Sequence, residues 1–250
     1  MNSLAHIFVA NAIKMTYIKF NVILLRLQQK NKGVGIVKYV FYVLGILILT
    51  LGISFTIQSD LGTSPFDALL VGLSINAGLT VGSWEVIIAL ILICFNSFLK
   101  RQRPEVLGLL TAFITGIGID MWLFLLHHLI TPELWYSKII CFGIGLVVIG
   151  LGTATYLHTN FAPIPVDRLT LIIQELTKTN IFFSRTVIYL AFLIMAMISN
   201  GPIGVGTLLT VCLGGLILNY FMPFTEKVLD RILTHPSTSP NNDKDKKHSI

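Results

Sequence analysis

Residues 60–73 read DLGTSPFDALLVGL, a Pro two residues ahead of an Asp inside otherwise apolar sequence. A hundred residues later, 160–173 read NFAPIPVDRLTLII. Pro65 and Asp67 return as Pro165 and Asp167, and Leu69 returns as Leu169. In both copies the pattern predicts a helix start. With Ser64 as N-cap, Pro65 occupies the first helical position, where its missing N–H costs nothing, and Asp67 occupies the third, where a carboxylate reaches back to the cap. In the second copy Ile164 stands at the cap and has no side-chain acceptor. That leaves Asp167 and the helix dipole, with Thr159 or Asn160 as alternative acceptors.

The helices started in this way are short. The apolar pieces 65–75 and 165–176 fall well under the roughly 20 residues that a helical crossing needs. Six other stretches come close to that length or exceed it: 37–57, 83–99, 106–129, 137–157, 182–199 and 203–222. Composition agrees, with 54% hydrophobic and 12% charged residues against about 25% charged in soluble domains. The expected fold is therefore an all-α integral membrane protein with about six transmembrane helices and two short, non-crossing half-helices.

Basic residues set the expected orientation. Lys14, Lys19, Arg26, Lys30 and Lys32 precede the first span, Lys100, Arg101 and Arg103 sit in one loop, and Lys227, Arg231 and Lys244 lie in the tail. Six crossings put all three groups on the cytoplasmic side, together with both termini. Counting the half-helices as crossings would put Lys100–Arg103 outside. The formal net charge of +6 is accordingly read as contact with a membrane surface, and nucleic acid is excluded as a partner.

The two halves match beyond Pro-x-Asp. Gly52 pairs with Gly152, Pro104 and Gly108 with Pro202 and Gly206, and Gly116 with Gly214. Each half holds an odd number of crossings, so the copies are expected to be inverted about an axis in the membrane plane. Arg168 in place of Ala68, and Arg185 in place of Trp84, then follow the positive-inside rule. The chain divides into a basic amphipathic segment (1–33), a first membrane repeat (34–130), an inverted second repeat (131–223) and a polar tail (224–250).

Broken helices inside membrane proteins frame solute sites, and an ionisable group at membrane depth marks a pathway. The candidate substrate-binding residues are therefore Ser64, Pro65, Asp67, Pro165, Asp167 and Arg168, with Asp120, Gln58 and His158 as further polar groups in or near the apolar body. Each has a structural reading beside the functional one. Either Asp satisfies its own helix start, Asp120 pairs with His127, and Gln58 and His158 reach the interface. Glu85, near a span start, is read as complementing the helix dipole. The many glycines are read as close helix packing, and Cys94, Cys141 and Cys212 as small apolar residues with no metal or redox role.

No GxSxG, HExxH, CxxC or dinucleotide fingerprint occurs, and GPIGVGTLL at 201–209 lacks the Lys of a phosphate loop. Neither enzyme activity nor a cofactor is expected. The first expectation is transport of a small solute or ion. The alternative is a membrane scaffold or maturation factor for a partner protein, and either type of protein can self-associate.

The runs GISFTIQSDLGTSPFDALLVGLS (52–74), GLTVGSWEVII (78–88) and GPIGVGT (201–207) resemble the YczE/YyaS/YitT family of bacterial multi-pass membrane proteins. The resemblance covers roughly 38–222 and implies a bacterial plasma-membrane location.

Overall fold

Pro65 and Pro165 each begin a 13-residue helix, and these two short helices sit among longer apolar ones. The computed structural model describes residues 37–234 apart from 128, 130, 131, 160 and 180. In chain order the helices are α1 Val37–Gln58, α2 Pro65–Ala77, α3 Val81–Lys100, α4 Leu107–His127, α5 Trp135–His158, α6 Pro165–Thr177, α7 Ile181–Ile198 and α8 Val205–Thr234. The described residues contain no strand. The chain divides into two units, Met1–Val40 and Phe41–Ile250, and only residues 37–40 of the first are described. The predicted amphipathic segment at 4–27 and the end of the tail lie outside the described residues.

Among the described residues five helices are long and apolar enough to cross a membrane: α1, α3, α4, α5 and the Val205–Leu229 part of α8. The sixth expected crossing, α7, has 18 residues, about 27 Å at 1.5 Å per residue, just short of a bilayer core. The last helix differs most from expectation. A span ending at Met222 and a separate short charged helix past Pro223 were expected, yet the two form one 30-residue helix with Pro223 inside it. Large apolar side chains such as Phe98, Phe124 and Tyr220 are at least 75% exposed and cover the outside of the helices, as a lipid-facing surface requires.

Lipid removes most of the hydrophobic drive for helix association, so close packing and internal hydrogen bonds must hold the helices together. The crossing of α1 and α5 shows how. A Cβ on Gly52 would lie 2.6 Å from Ile149 N and 2.7 Å from Gly145 O. Its sequence mate Gly152 faces Leu49 N, and a Cβ there would lie 2.9 Å from Gly45 O. The two contacts are reciprocal, each glycine lying against the backbone of the opposite helix. Exchanging the sequence mates Gly45 with Gly145 and Gly52 with Gly152 turns one contact into the other. The two short helices follow the same exchange: α2 packs on α3 and α7, while α6 packs on α7 and α3.

The loops ahead of the short helices are pinned by their backbones. Gly206 N–H donates to Leu61 O at 2.8 Å and Thr63 N–H to Pro202 O at 3.4 Å, so the GPIGVGT stretch cradles the approach to α2. Gly62 turns this loop at φ +97°, where a Cβ would also strike Gly204 N and Thr207 Oγ1. Ahead of α6, Ala162 O accepts from Thr111 Oγ1 at 3.3 Å and from Tyr42 Oη at 3.4 Å.

Overpacking a close helix crossing costs about 1–3 kcal/mol. Gly52→Ala and Gly152→Ala are each expected to lower thermal stability in detergent by that order. Gly143→Ala, where a Cβ meets nothing within 4 Å, should leave stability level or slightly raised. Melting curves followed by intrinsic fluorescence check the contrast.

Candidate functional site

Ser64 caps α2 as its sequence position predicts. Its Oγ accepts from Asp67 N–H at 3.1 Å, and its hydroxyl donates to Asp67 Oδ2 at 2.6 Å. The carboxylate thus returns to the cap through the side-chain hydroxyl, where a standard capping box uses the cap's backbone N–H. In the second copy Ile164 caps α6 with no side-chain bond. The Thr159 hydroxyl donates to Tyr156 O at 2.7 Å, at the end of α5, and Asn160 lies outside the described residues. Asp167 instead accepts a hydrogen bond from the Tyr156 hydroxyl. One half-helix acid is therefore held locally, the other by a neighbouring helix.

Both helix starts open onto one cavity of about 120 Å³. Ser64, Asp67, Ile164 and Asp167 line it from the half-helices. Leu49 and Ile53 of α1, Thr115 of α4, Thr153 and Tyr156 of α5, and Thr210 and Leu218 of α8 form its walls. A water needs on the order of 10–15 Å³ of such space, so the cavity has room for several waters or one small solute.

Three further groups define its electrostatics. Glu85 reaches it from α3, and Arg185 and Tyr189 from α7. Arg185 Nη2 donates to Tyr189 Oη at 2.8 Å, and its guanidinium carbon lies 5.1 Å from the Tyr189 ring centroid. The tyrosine thus holds the cation by its hydroxyl and by its ring. Glu85 is 2% exposed and lies beyond the first turn of α3, so the cavity receives a carboxyl that was read only as complementing the helix dipole. Arg185 likewise turns inward and does not mark a solvated loop.

Other predicted site residues fall elsewhere. Arg168 points away from the central cavity and pairs with Glu105 beside Asn96 and Lys100, because the helix turn that aims Asp167 inward aims the next residue outward. Pro165 lies in that same neighbourhood, its carbonyl accepting from Asn96 Nδ2 at 3.1 Å. Pro65 is buried at the first turn of α2 and serves the helix start. Asp120 caps a different helix, accepting from Gly82 N–H at 2.8 Å and from Thr80 Oγ1 at 2.7 Å at the start of α3. Gln58 is half-buried at the end of α1, outside the cavity lining. His158 borders a separate apolar pocket with Leu44, Ile48, Phe224 and Leu229. Among the described residues no three His, Cys, Asp or Glu side chains converge as a metal ion would need.

Residues 36–223 match the model of a family of unknown function, DUF6198. The chain belongs to this family. It is 64% identical over 190 residues to the uncharacterized protein YyaS of Bacillus subtilis (strain 168), covering 76% of this chain and 94% of that one. It is 37% identical over 196 residues to the uncharacterized membrane protein YczE of the same organism, covering 78% of this chain and 90% of the relative. An uncharacterized protein of Haemophilus influenzae is 25% identical over 192 residues, covering 76% of this chain and 84% of that one. No solved structure matches. The resemblance to YczE and YyaS is thereby borne out, and the chain is an all-α membrane protein.

The placement of Asp120 separates stability from the cavity. Asp120→Ala removes two hydrogen bonds at a helix start and is expected to lower stability by about 1–2 kcal/mol. The cavity residues should remain as accessible to reagents as in the parent. A thermal melt paired with thiol labelling at Ser64→Cys reads both.

Proposed function

We propose that this protein carries a small solute or ion across the bacterial plasma membrane, with the central cavity as its binding site. One observation carries the reading: the N-terminal ends of two half-helices, Ser64–Asp67 and Ile164–Asp167, meet at a single cavity that mixes polar and apolar side chains and lies between long apolar helices. Irregular backbone at membrane depth is tolerated where it lines such a cavity, and carriers place substrate there.

The architecture supports an inverted repeat as the moving framework. Helix lengths run long, short, long, long in each half: 22, 13, 20 and 21 residues, then 24, 13, 18 and 30. The reciprocal glycine contacts of α1 and α5 lie where a pseudo-two-fold axis would pass. Rocking one repeat against the other about that crossing would open the cavity alternately to each side.

Ion pairs support the orientation. Lys138 at the start of α5 bonds Asp60, ahead of α2, at 2.6 Å. At the opposite ends, Lys100 bonds Glu175 of α6 at 2.7 Å, and Arg168 bonds Glu105. The approach to α2 thus shares a side with the α4–α5 connection, and α6 shares a side with the basic 100–105 loop. With that loop cytoplasmic, α2 opens outward and α6 inward, and both chain ends are cytoplasmic. No catalytic role is assigned to any residue.

Single cysteines at Ser64 and Ile164, in a chain lacking Cys94, Cys141 and Cys212, test this arrangement. A membrane-impermeant thiol reagent should label Ser64→Cys in intact cells and Ile164→Cys in inverted vesicles. Both sites dark from both sides would make the half-helices packed structure and favour a scaffold that holds a partner protein. Asp67→Asn and Asp167→Asn should insert normally and abolish transport, and full transport in the double variant would overturn the reading.

A further inference from the structure

The cavity holds three carboxyls, and two of them are already committed. Asp67 is tied to the Ser64 hydroxyl and Asp167 to the Tyr156 hydroxyl. Arg185 is held by Tyr189. Glu85 differs from all of these. Its carboxyl lies on an unbroken long helix, is almost fully enclosed and opens onto the cavity. Among the described residues no hydrogen bond or ion pair engages it.

An ionised carboxyl with no partner is among the most costly groups to hold in an apolar interior. A site that keeps one there must bring it a cation when it is closed to water. The groups facing Glu85 set the conditions: Asp67 from α2, Asp167 from α6, Arg185 and Tyr189 from α7, and Tyr156 from α5. From α4 comes the neutral Thr115 and from α8 the neutral Thr210, while α1 contributes Leu49 and Ile53. Asp120, also on α4, is bonded one turn earlier in α3, at Gly82 N–H. Two acids thus repel a third negative charge on Glu85, and one guanidinium, held by Tyr189, shares the cavity with all three.

Resting on the transporter reading, we propose that Glu85 is the proton carrier of the cycle. It takes up H⁺ when the cavity opens to one side and releases it on the other, so that solute movement is coupled to a proton gradient. A proton suits this geometry better than a metal ion. One carboxyl suffices to bind H⁺, whereas a metal needs several ligands converging on it, and none of the described acidic or imidazole groups do so. The step is a simple protonation: the lone pair of one carboxylate oxygen takes the proton, and the same O–H bond breaks on release. Asp67 and Asp167 are positioning residues here, fixing the two helix starts on either side of the exchanging group.

Infrared difference spectroscopy of the full-length protein in lipid nanodiscs tests this without knowledge of the solute, the pH being stepped across neutrality. The parent should show a carboxylic-acid C=O band that appears and disappears with pH. Glu85→Gln should lose that band, while Asp120→Asn retains it. A band that persists in Glu85→Gln, or no titrating band in the parent, overturns the proposal. If Glu85→Gln fails to accumulate, Glu85→Asp replaces it and should keep a band with a displaced midpoint; an undisplaced midpoint overturns the assignment. The spectra and the thiol labelling are independent. A titrating Glu85 beside dark half-helices would refute transport, and the carrier role with it, and leave Glu85 a proton-binding group only; labelled half-helices without a titrating Glu85 would refute the proton carrier alone.

Discussion

A helix that begins inside an apolar slab presents unpaired N–H groups and the positive end of its dipole to surroundings that cannot solvate them. This constraint shapes the centre of the protein. At α2 the solution is local: Ser64 and Asp67 close on each other within one turn. At α6 no side chain caps the helix, and the acid of its first turn is engaged by Tyr156, which is almost completely buried in α5. The second start therefore depends on the crossing of α1 and α5 that fixes Tyr156, where a Cβ on Gly45 would lie 2.6 Å from the Tyr156 backbone N.

That dependence links packing to chemistry. Small residues let the α1 and α5 backbones touch, and the contact sets the depth of Tyr156 and hence of Asp167. The loops ahead of both short helices hang on backbone bonds to other elements, through Leu61 to Gly206 and through Ala162 to Thr111 and Tyr42. The polar groups of the cavity thus sit on a frame whose energy comes from close contact and internal hydrogen bonding, which are the forces that lipid leaves available. A displacement of the α1–α5 crossing would reach the start of α6 through Tyr156.

Much of the frame was legible from residue order. The Pro-x-Asp pair, the length of the apolar runs and the spacing of the glycines located both short helices and their starts within a residue or two. The short charged helix past Pro223 was legible, but its continuity with the preceding span was not. A proline normally ends a helix, yet Pro223 leaves α8 continuous to Thr234, where local preference yields to the rest of the helix. The site was legible only in part. Ser64, Asp67 and Asp167 carried a motif, whereas Glu85, Arg185, Tyr156 and Tyr189 sit in ordinary-looking helix sequence, and only their approach in space joins them. One signal was available for two of them: Glu85 and Arg185 are charges within three to five residues of the start of apolar helices, where a dipole or loop reading competes with a cavity reading.

By itself the sequence determined that the chain is a helical membrane protein, where its two short helices begin, and which residues close the cap of the first of them. These are local matters of apolar length, proline geometry and hydrogen bonding over three residues. Tertiary structure alone decided which polar groups share a cavity. It turned Arg168 outward to Glu105 and Arg185 inward to Tyr189, gave Asp120 to the start of α3, and left Glu85 enclosed. The reason is geometric. Neighbouring residues on a helix point about 100° apart, so the direction a side chain takes is fixed by how its helix is rotated against the others, and that rotation is set by packing contacts between residues distant in the chain.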